Sequence, residues 1–357
     1  MISFEKFVKF FITIFVISLL IIAGFNYLID PGGIFNNKKV NLAVTYLLNG
    51  NTVGGLTNFD ERIFKKEFII KSIEKPETIV FGSSRAMGIK AEFDKDKNNF
   101  ANYSVSAANF NDDIALFSIY YNKYQNVPKK LILAVEPWDL NKNRGDTRWK
   151  SLKKEYYDGL SMIGINSEEV NNSSYTFDKL KTLVSISYLR NSIKSIRNDN
   201  PLPFVADYKE LKSDVIRPDG SVKYGKMTNE KSLKEVNIIA KDYISKSNIS
   251  QLNDFTKLDR FEINKFEAFV KYLKDRNVKV VLYFPPYHPI VYKFFQNNKR
   301  YNTIIDAENY FLKFSLKENL ETIGSYNPAL CGVDENDFSD GRHLRTSGYA
   351  KVFKNKF

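Results

Sequence analysis

Three residues have the types that nucleophilic acyl chemistry needs, split between two distant stretches. Ser84 lies near the end of TIVFGSSR, residues 78–85, while Asp340 and His343 stand three apart in SDGRH, residues 339–343. A serine hydroxyl is a weak nucleophile until a base takes its proton. Histidine is the usual base, and a carboxylate fixes its tautomer. TIVFG is an apolar β-type run, so Ser84 sits where a strand ends. In an open parallel sheet the carboxyl ends of the strands share one edge, where ligands bind. Two segments this far apart in sequence can therefore meet there. Each residue also has a plainer use. Ser84 could cap a following helix, and Asp340-Gly341 is a common turn pair. The chain has only one other histidine, His288 in FPPYHPI. It follows a strand, and so either faces the same edge or serves as a structural loop residue. Arg85 is expected at the mouth of the site, facing an anionic substrate, or else on the surface.

The elements that would position these groups alternate. NFDERIFKKEFIIKSIEKPE places apolar residues near helical spacing and is closed by Pro76. TIVFG predicts a buried strand. A second strand is expected in NFANYSVSAANFNDD, then a helix over 112–126 and a third strand in KLILAVEPW. This β-α-β-α-β order predicts an α/β fold with a parallel sheet covered by helices. Residues 140 to about 255 break the rhythm and read as a mainly helical insertion, with helix near 176–197. The alternation then resumes with a helix over 258–275, a strand over 278–284, a helix near 299–318 and a short strand near ETIGSY. GSVKYGK matches part of a phosphate loop, but Met227 replaces the required Ser or Thr. After RPDG it reads as a hairpin instead.

The first 75 residues have another purpose. Residues 10–29 carry no charge. At ~1.5 Å per residue these 20 residues cover about 30 Å, the hydrocarbon thickness of a bilayer. The run ends in AGFNYLIDPGG, which fits a cleavage site poorly, so an uncleaved anchor is expected. Lys6 and Lys9 before it place residues 1–9 in the cytoplasm and the rest outside, in the plasma (inner) membrane. Residues 30–75 then form a juxtamembrane linker and helix, and 76–357 the main domain. With 53 basic and 41 acidic residues the net charge is +12, which favours an anionic partner. No zinc-finger, helix-turn-helix or RNA-recognition signature accompanies it, so no nucleic-acid partner is expected. Cys331 is the only cysteine, which excludes an intrachain disulfide. No cluster has metal-site spacing, and neither a metal nor another cofactor is expected.

With these motifs in hand, the chain resembles the SGNH (GDSL) hydrolase superfamily. VFGSSR matches its first motif, with Ser83 in the aspartate position and Ser84 as nucleophile. DGRH matches its C-terminal Asp-x-x-His. The resemblance implies a three-layer α/β/α, flavodoxin-like sheet and a Ser84–His343–Asp340 triad. It also implies an oxyanion donor from a second motif, with Ala107 at the glycine position, and from a third, with Trp138 near the asparagine position. With its N-terminal anchor and GSSR the chain looks like the membrane-bound branch that handles acyl groups on envelope polymers. Relatives of alginate O-acetylation and teichoic-acid D-alanylation proteins belong to that branch. The function so implied is an extracytoplasmic serine O-acyltransferase or esterase. Its partners would be an envelope glycan or teichoic-acid-like polymer and a multi-spanning membrane protein that supplies acyl groups. The alternative is a non-catalytic anchored module that binds an anionic polymer. The Gly-x-Ser-x-Gly elbow of α/β-hydrolases is absent, since position 86 is Ala.

Overall fold

A computed structural model describes residues 3–31, 35–56, 59–94, 99–166, 180–197, 202–206, 211–246, 249 and 251–354. The chain starts with helix α1 (Phe4–Ile29), then α2 (Lys38–Leu48), a two-residue strand β1 (Val53–Gly54) and α3 (Glu61–Lys71). The sheet begins at β2 (Thr78–Phe81), followed by β3 (Phe100–Asn102), α4 (Phe110–Tyr124) and β4 (Lys130–Ala134). Next come α5 (Lys153–Met162), α6 (Ile186–Arg197), the short strands β5 (Phe204–Val205), β6 (Val215–Ile216) and β7 (Val222–Lys223), and α7 (Leu233–Ser245). The chain closes with α8 (Arg260–Lys274), β8 (Lys279–Phe284), α9 (Pro289–Asn297), α10 (Asn302–Glu318), β9 (Glu321–Gly324) and α11 (Thr346–Phe353).

The main sheet is five-stranded and wholly parallel, in the order β3-β2-β4-β8-β9. Numbered along the chain this is 2-1-3-4-5, a common doubly wound order. The direction of winding reverses beside β2, so a crevice opens at its carboxyl end, next to Ser84. Side chains alternate across the sheet as the pleat requires. Ile79, Phe81, Leu131, Leu133, Leu282 and Phe284 join the larger core, with Phe110, Phe117, Phe266 and Phe311 from α4, α8 and α10. Val80, Ile132, Val281 and Tyr283 join the smaller core, with Tyr349, Val352 and Phe353 of α11. One face is thus covered by long helices and the other mainly by one short helix and the loop before it.

Two expectations need correcting. Residues 30–75 are more than a linker and helix. Val40, Ala43, Val44 and Leu47 of α2 are buried, and β1 is part of a second sheet. That sheet, antiparallel with the order β5-β1-β6-β7, takes three strands from the stretch expected to be mainly helical. β6 and β7 form a hairpin around the RPDGS turn, as the sequence suggested in place of a phosphate loop. Two-residue strands leave almost no periodic signal, which is why they escaped notice. Residues 32–34 of the breaker cluster and 176–179 of the expected helix lie outside the described residues.

Candidate active site

The loop after β2 is fixed by contacts on both sides of Ser84. β2 ends at Phe81, and Gly82 follows with φ +144. A Cβ there would lie 2.5 Å from the Cβ of Ala134 at the end of β4, so only glycine lets the two strand ends come this close. Ser83 Oγ donates to Glu136 Oε1 at 2.5 Å and accepts from the Arg85 N–H at 3.1 Å. The Tyr349 hydroxyl donates to the Arg85 carbonyl at 2.9 Å. Residues 84–88 are a turn, so Ser84 caps no helix.

The second loop joins β9 to α11. Asp340 Oδ1 accepts from the N–H groups of Arg342 and His343 at 2.8 and 2.9 Å, folding the loop around its own carboxylate. Asp340 Oδ2 lies 2.7 Å from His343 Nδ1, and His343 Nε2 lies 2.8 Å from Ser84 Oγ. With Nδ1–H donated to Asp340, Nε2 is left to accept the Ser84 proton. Burial pushes the Asp340 carboxyl up, but the neighbouring His343, its hydrogen bond and the two backbone N–H groups outweigh this. The carboxyl is held well below the usual carboxylate range. Three groups separated by up to 259 positions thus form one relay at the carboxyl edge of the sheet.

The relay opens into a cavity of about 360 Å³. Its walls come largely from the short-stranded sheet and from the first 75 residues: Val53, Leu56, Phe64, Val215, Ile216 and Val222. The hairpin is tied to the Ser84 loop, because the Val222 N–H donates to the Met87 carbonyl at 2.7 Å. Lys65 also lines the cavity, its Nζ donating to the carbonyls of Asn102 and Gly220 at 2.8 and 2.7 Å. Burial draws its pKa down to about 8. Glu61 on the same wall accepts from the N–H and the hydroxyl of Ser106.

The other four candidates fall in different places. Ala107 has φ +49 in a turn closed by the Ala108 N–H and the Val105 carbonyl. Glycine suits that left-handed position best. Among the described residues the N–H groups of Ser84 and Ala107 have no hydrogen-bond partner. Trp138 is not a free donor: its Nε1–H goes to the Ala108 carbonyl at 3.0 Å in the core. Arg85 is not at the mouth of the site. It is 2% exposed, stacked 3.9 Å from the Tyr287 ring centre and bonded to Glu136, Pro285 and the Arg342 carbonyl. Burial alone would lower its pKa, and the Glu136 charge reverses that and raises it. His288 is fully buried and caps α9, its Nδ1 accepting from the Ile290 N–H at 3.2 Å. Burial lowers its pKa. Its backbone N–H holds the Gly341 carbonyl, so it braces the Asp340 loop from beneath.

Glu136 was missed. Its carboxylate links Ser83 to Arg85 from the end of β4. An acidic residue closing an apolar strand was the available signal. Lys65 and Glu61 gave none, since on an amphipathic helix they read as solvated charges. Among the described residues no group of three or more His, Cys, Asp or Glu could hold a metal ion. Compared with protein-family models and with curated proteins, the chain matches none.

Proposed function

We propose that this chain is a membrane-anchored serine enzyme of SGNH-like, flavodoxin-like fold that forms an acyl-enzyme at Ser84. The observation that carries the reading is the Ser84–His343–Asp340 relay, at 2.8 and 2.7 Å, opening into a cavity. The strand order and the switch point beside Ser84 agree with it. His343 Nε2 takes the Ser84 proton as Oγ bonds to the ester carbonyl carbon, and the carbonyl electrons move to oxygen. The unpartnered N–H groups of Ser84 and Ala107 are the groups available to that oxyanion. As the C–O bond breaks, His343 returns the proton to the leaving alcohol. Water or a sugar hydroxyl then gives its proton to His343 and bonds to the acyl carbon, and as the bond to Ser84 Oγ breaks His343 returns the proton to Oγ, making an esterase or an O-acyltransferase. Asp340 keeps His343 in the productive tautomer throughout.

The anchor is α1, 26 residues long, whose most apolar 18-residue stretch has no residue buried. At ~1.5 Å per residue it exceeds the ~30 Å hydrocarbon layer. We assign residues 1–9 to the cytoplasm and the domain to the outer side of the plasma membrane. Acyl esters of an envelope polysaccharide or teichoic-acid-like polymer are the substrate class, with acyl groups supplied by a multi-spanning membrane protein. One observation favours the competing reading, a non-catalytic module for an anionic polymer. The only side chain expected as an oxyanion donor, Trp138, is committed to Ala108.

The full chain in detergent, given p-nitrophenyl acetate, decides between them. The proposal expects nitrophenol release that falls by at least about 10⁴-fold in Ser84→Ala and drops likewise in His343→Ala. Equal background rates in all three proteins, with salt-sensitive polymer binding that survives Ser84→Ala, would establish the module instead.

A further inference from the structure

Helix α6 is docked on the end of α1 by polar contacts. Asn26 of α1 is fully buried. Its Nδ2 donates to the Leu183 carbonyl at 2.6 Å, and its Oδ1 accepts from Ser192 Oγ at 2.8 Å. One turn further on, Asp30 Oδ1 accepts from the Tyr188 hydroxyl at 2.7 Å. Tyr188 and Ser192 therefore mark the face of α6 turned toward α1.

At about 100° per residue, Ile186, Leu189, Ile193 and Ile196 fall in the adjoining arc. Of these, Ile186, Ile193 and Ile196 are 68, 39 and 57% exposed. The next arc holds Arg190, Lys194 and Arg197, all exposed and without an ion pair among the described residues. A helix of a water-soluble surface turns its apolar stripe inward. This one buries hydroxyls and presents isoleucines outward beside unpaired cations. Leu180 and Val184 upstream, and Tyr27 and Leu28 near the end of α1, are exposed apolar residues as well.

Position settles what could cover this stripe. Its docking partner is the last turn of the helix read above as the anchor. If α1 crosses a bilayer, α6 lies at headgroup depth. There, isoleucines meet acyl chains while arginine and lysine meet phosphate. We infer that α6 lies in the membrane interface, with Ile186, Leu189, Ile193 and Ile196 in the acyl region and Arg190, Lys194 and Arg197 on anionic headgroups. The consequence reaches the site. The strand after α6, β5, pairs with β1, and Val53 and Gly54 of β1 line the cavity. Seating α6 in lipid holds one cavity wall at a fixed height above the bilayer.

This inference rests on the anchor, not on the chemistry at Ser84, and the test separates the two. Full-length protein in a Cys331→Ser background carries one environment-sensitive fluorophore, at Ile193→Cys, Ile17→Cys or Leu316→Cys. It is reconstituted into phosphatidylcholine vesicles, with or without phosphatidylglycerol, containing shallow or deep spin-labelled lipid. The expected result is deep quenching at 17, shallow quenching at 193, and none at 316, which lies on α10 and is 82% exposed. Replacing Arg190, Lys194 and Arg197 with Gln should weaken the quenching at 193 only when phosphatidylglycerol is present. Quenching at 17 with none at 193 would overturn the interfacial helix and leave the anchor standing. No quenching at 17 would overturn both.

Discussion

The parallel sheet and the short-stranded sheet meet at one cavity but are built in different ways. The parallel strands run three to six residues and, except for the half-buried edge strand β9, are almost wholly buried, with the relay at their carboxyl edge. Buried charge pairs lock that edge, with Arg85 joining Glu136 to the Arg342 carbonyl of the histidine loop. The four strands of the other sheet have two residues each, and both residues of β5 are exposed. The difference teaches a division of labour. In the proposed reading the reacting groups are held on the parallel sheet, and the wall that would meet a substrate is held by few bonds.

The comparison breaks first at the body. Asp340→Asn leaves the fold in place but removes the acceptor that sets the His343 tautomer, so kcat should fall by roughly 10²–10⁴-fold. The lowered Asp340 pKa also has a pH signature. Folding favours the charged form, so its contribution to stability is complete above the ordinary carboxylate value of about 3.9. It is lost as the pH falls below that range toward the lowered folded value. Urea titrations of wild type and Asp340→Asn should therefore differ above that range and converge only below it. Next in size, Arg85→Leu strands the Glu136 charge and should cost about 3–5 kcal/mol of stability. A double Arg85→Leu, Glu136→Leu variant should recover part of this.

Most of the body was legible in advance because each feature was local and periodic. TIVF, KLILA and KVVLYF announce buried strands, and SDGRH holds an acid and a base at a spacing that one loop can fold upon itself. The fate of Arg85 was not legible. Whether an arginine after a nucleophile faces solvent or fills the core depends on Glu136, Pro285 and Tyr287, which only the assembled sheet brings to it. The partner of Trp138 was hidden for the same reason, because its acceptor, the Ala108 carbonyl, lies 30 positions away. The short-stranded sheet, the roof of the cavity, was hidden because strands of two residues have no period to read.

At the roof the expected effects are smaller and differ in kind. Ile216→Ala should leave the rate on an acetyl ester near wild type and shift the preference between short and longer acyl esters by about tenfold. A series of p-nitrophenyl esters reads this as a ratio of kcat/KM values. A large loss on every ester would mean that the roof helps to position the relay, ending the division of labour. The smallest effect is at Ala107, whose φ of +49 strains an alanine. Ala107→Gly should change stability by less than about 1 kcal/mol, with relief of strain opposed by a freer unfolded chain. Thermal unfolding checks it.

Covalent labelling asks whether Ser84 is a nucleophile activated by His343. The full chain is treated with a fluorophosphonate, digested, and the modified peptide identified by mass. The account predicts one adduct, on Ser84, formed rapidly in wild type and largely lost in His343→Ala. Labelling at another residue, or at Ser84 equally fast without His343, would contradict it.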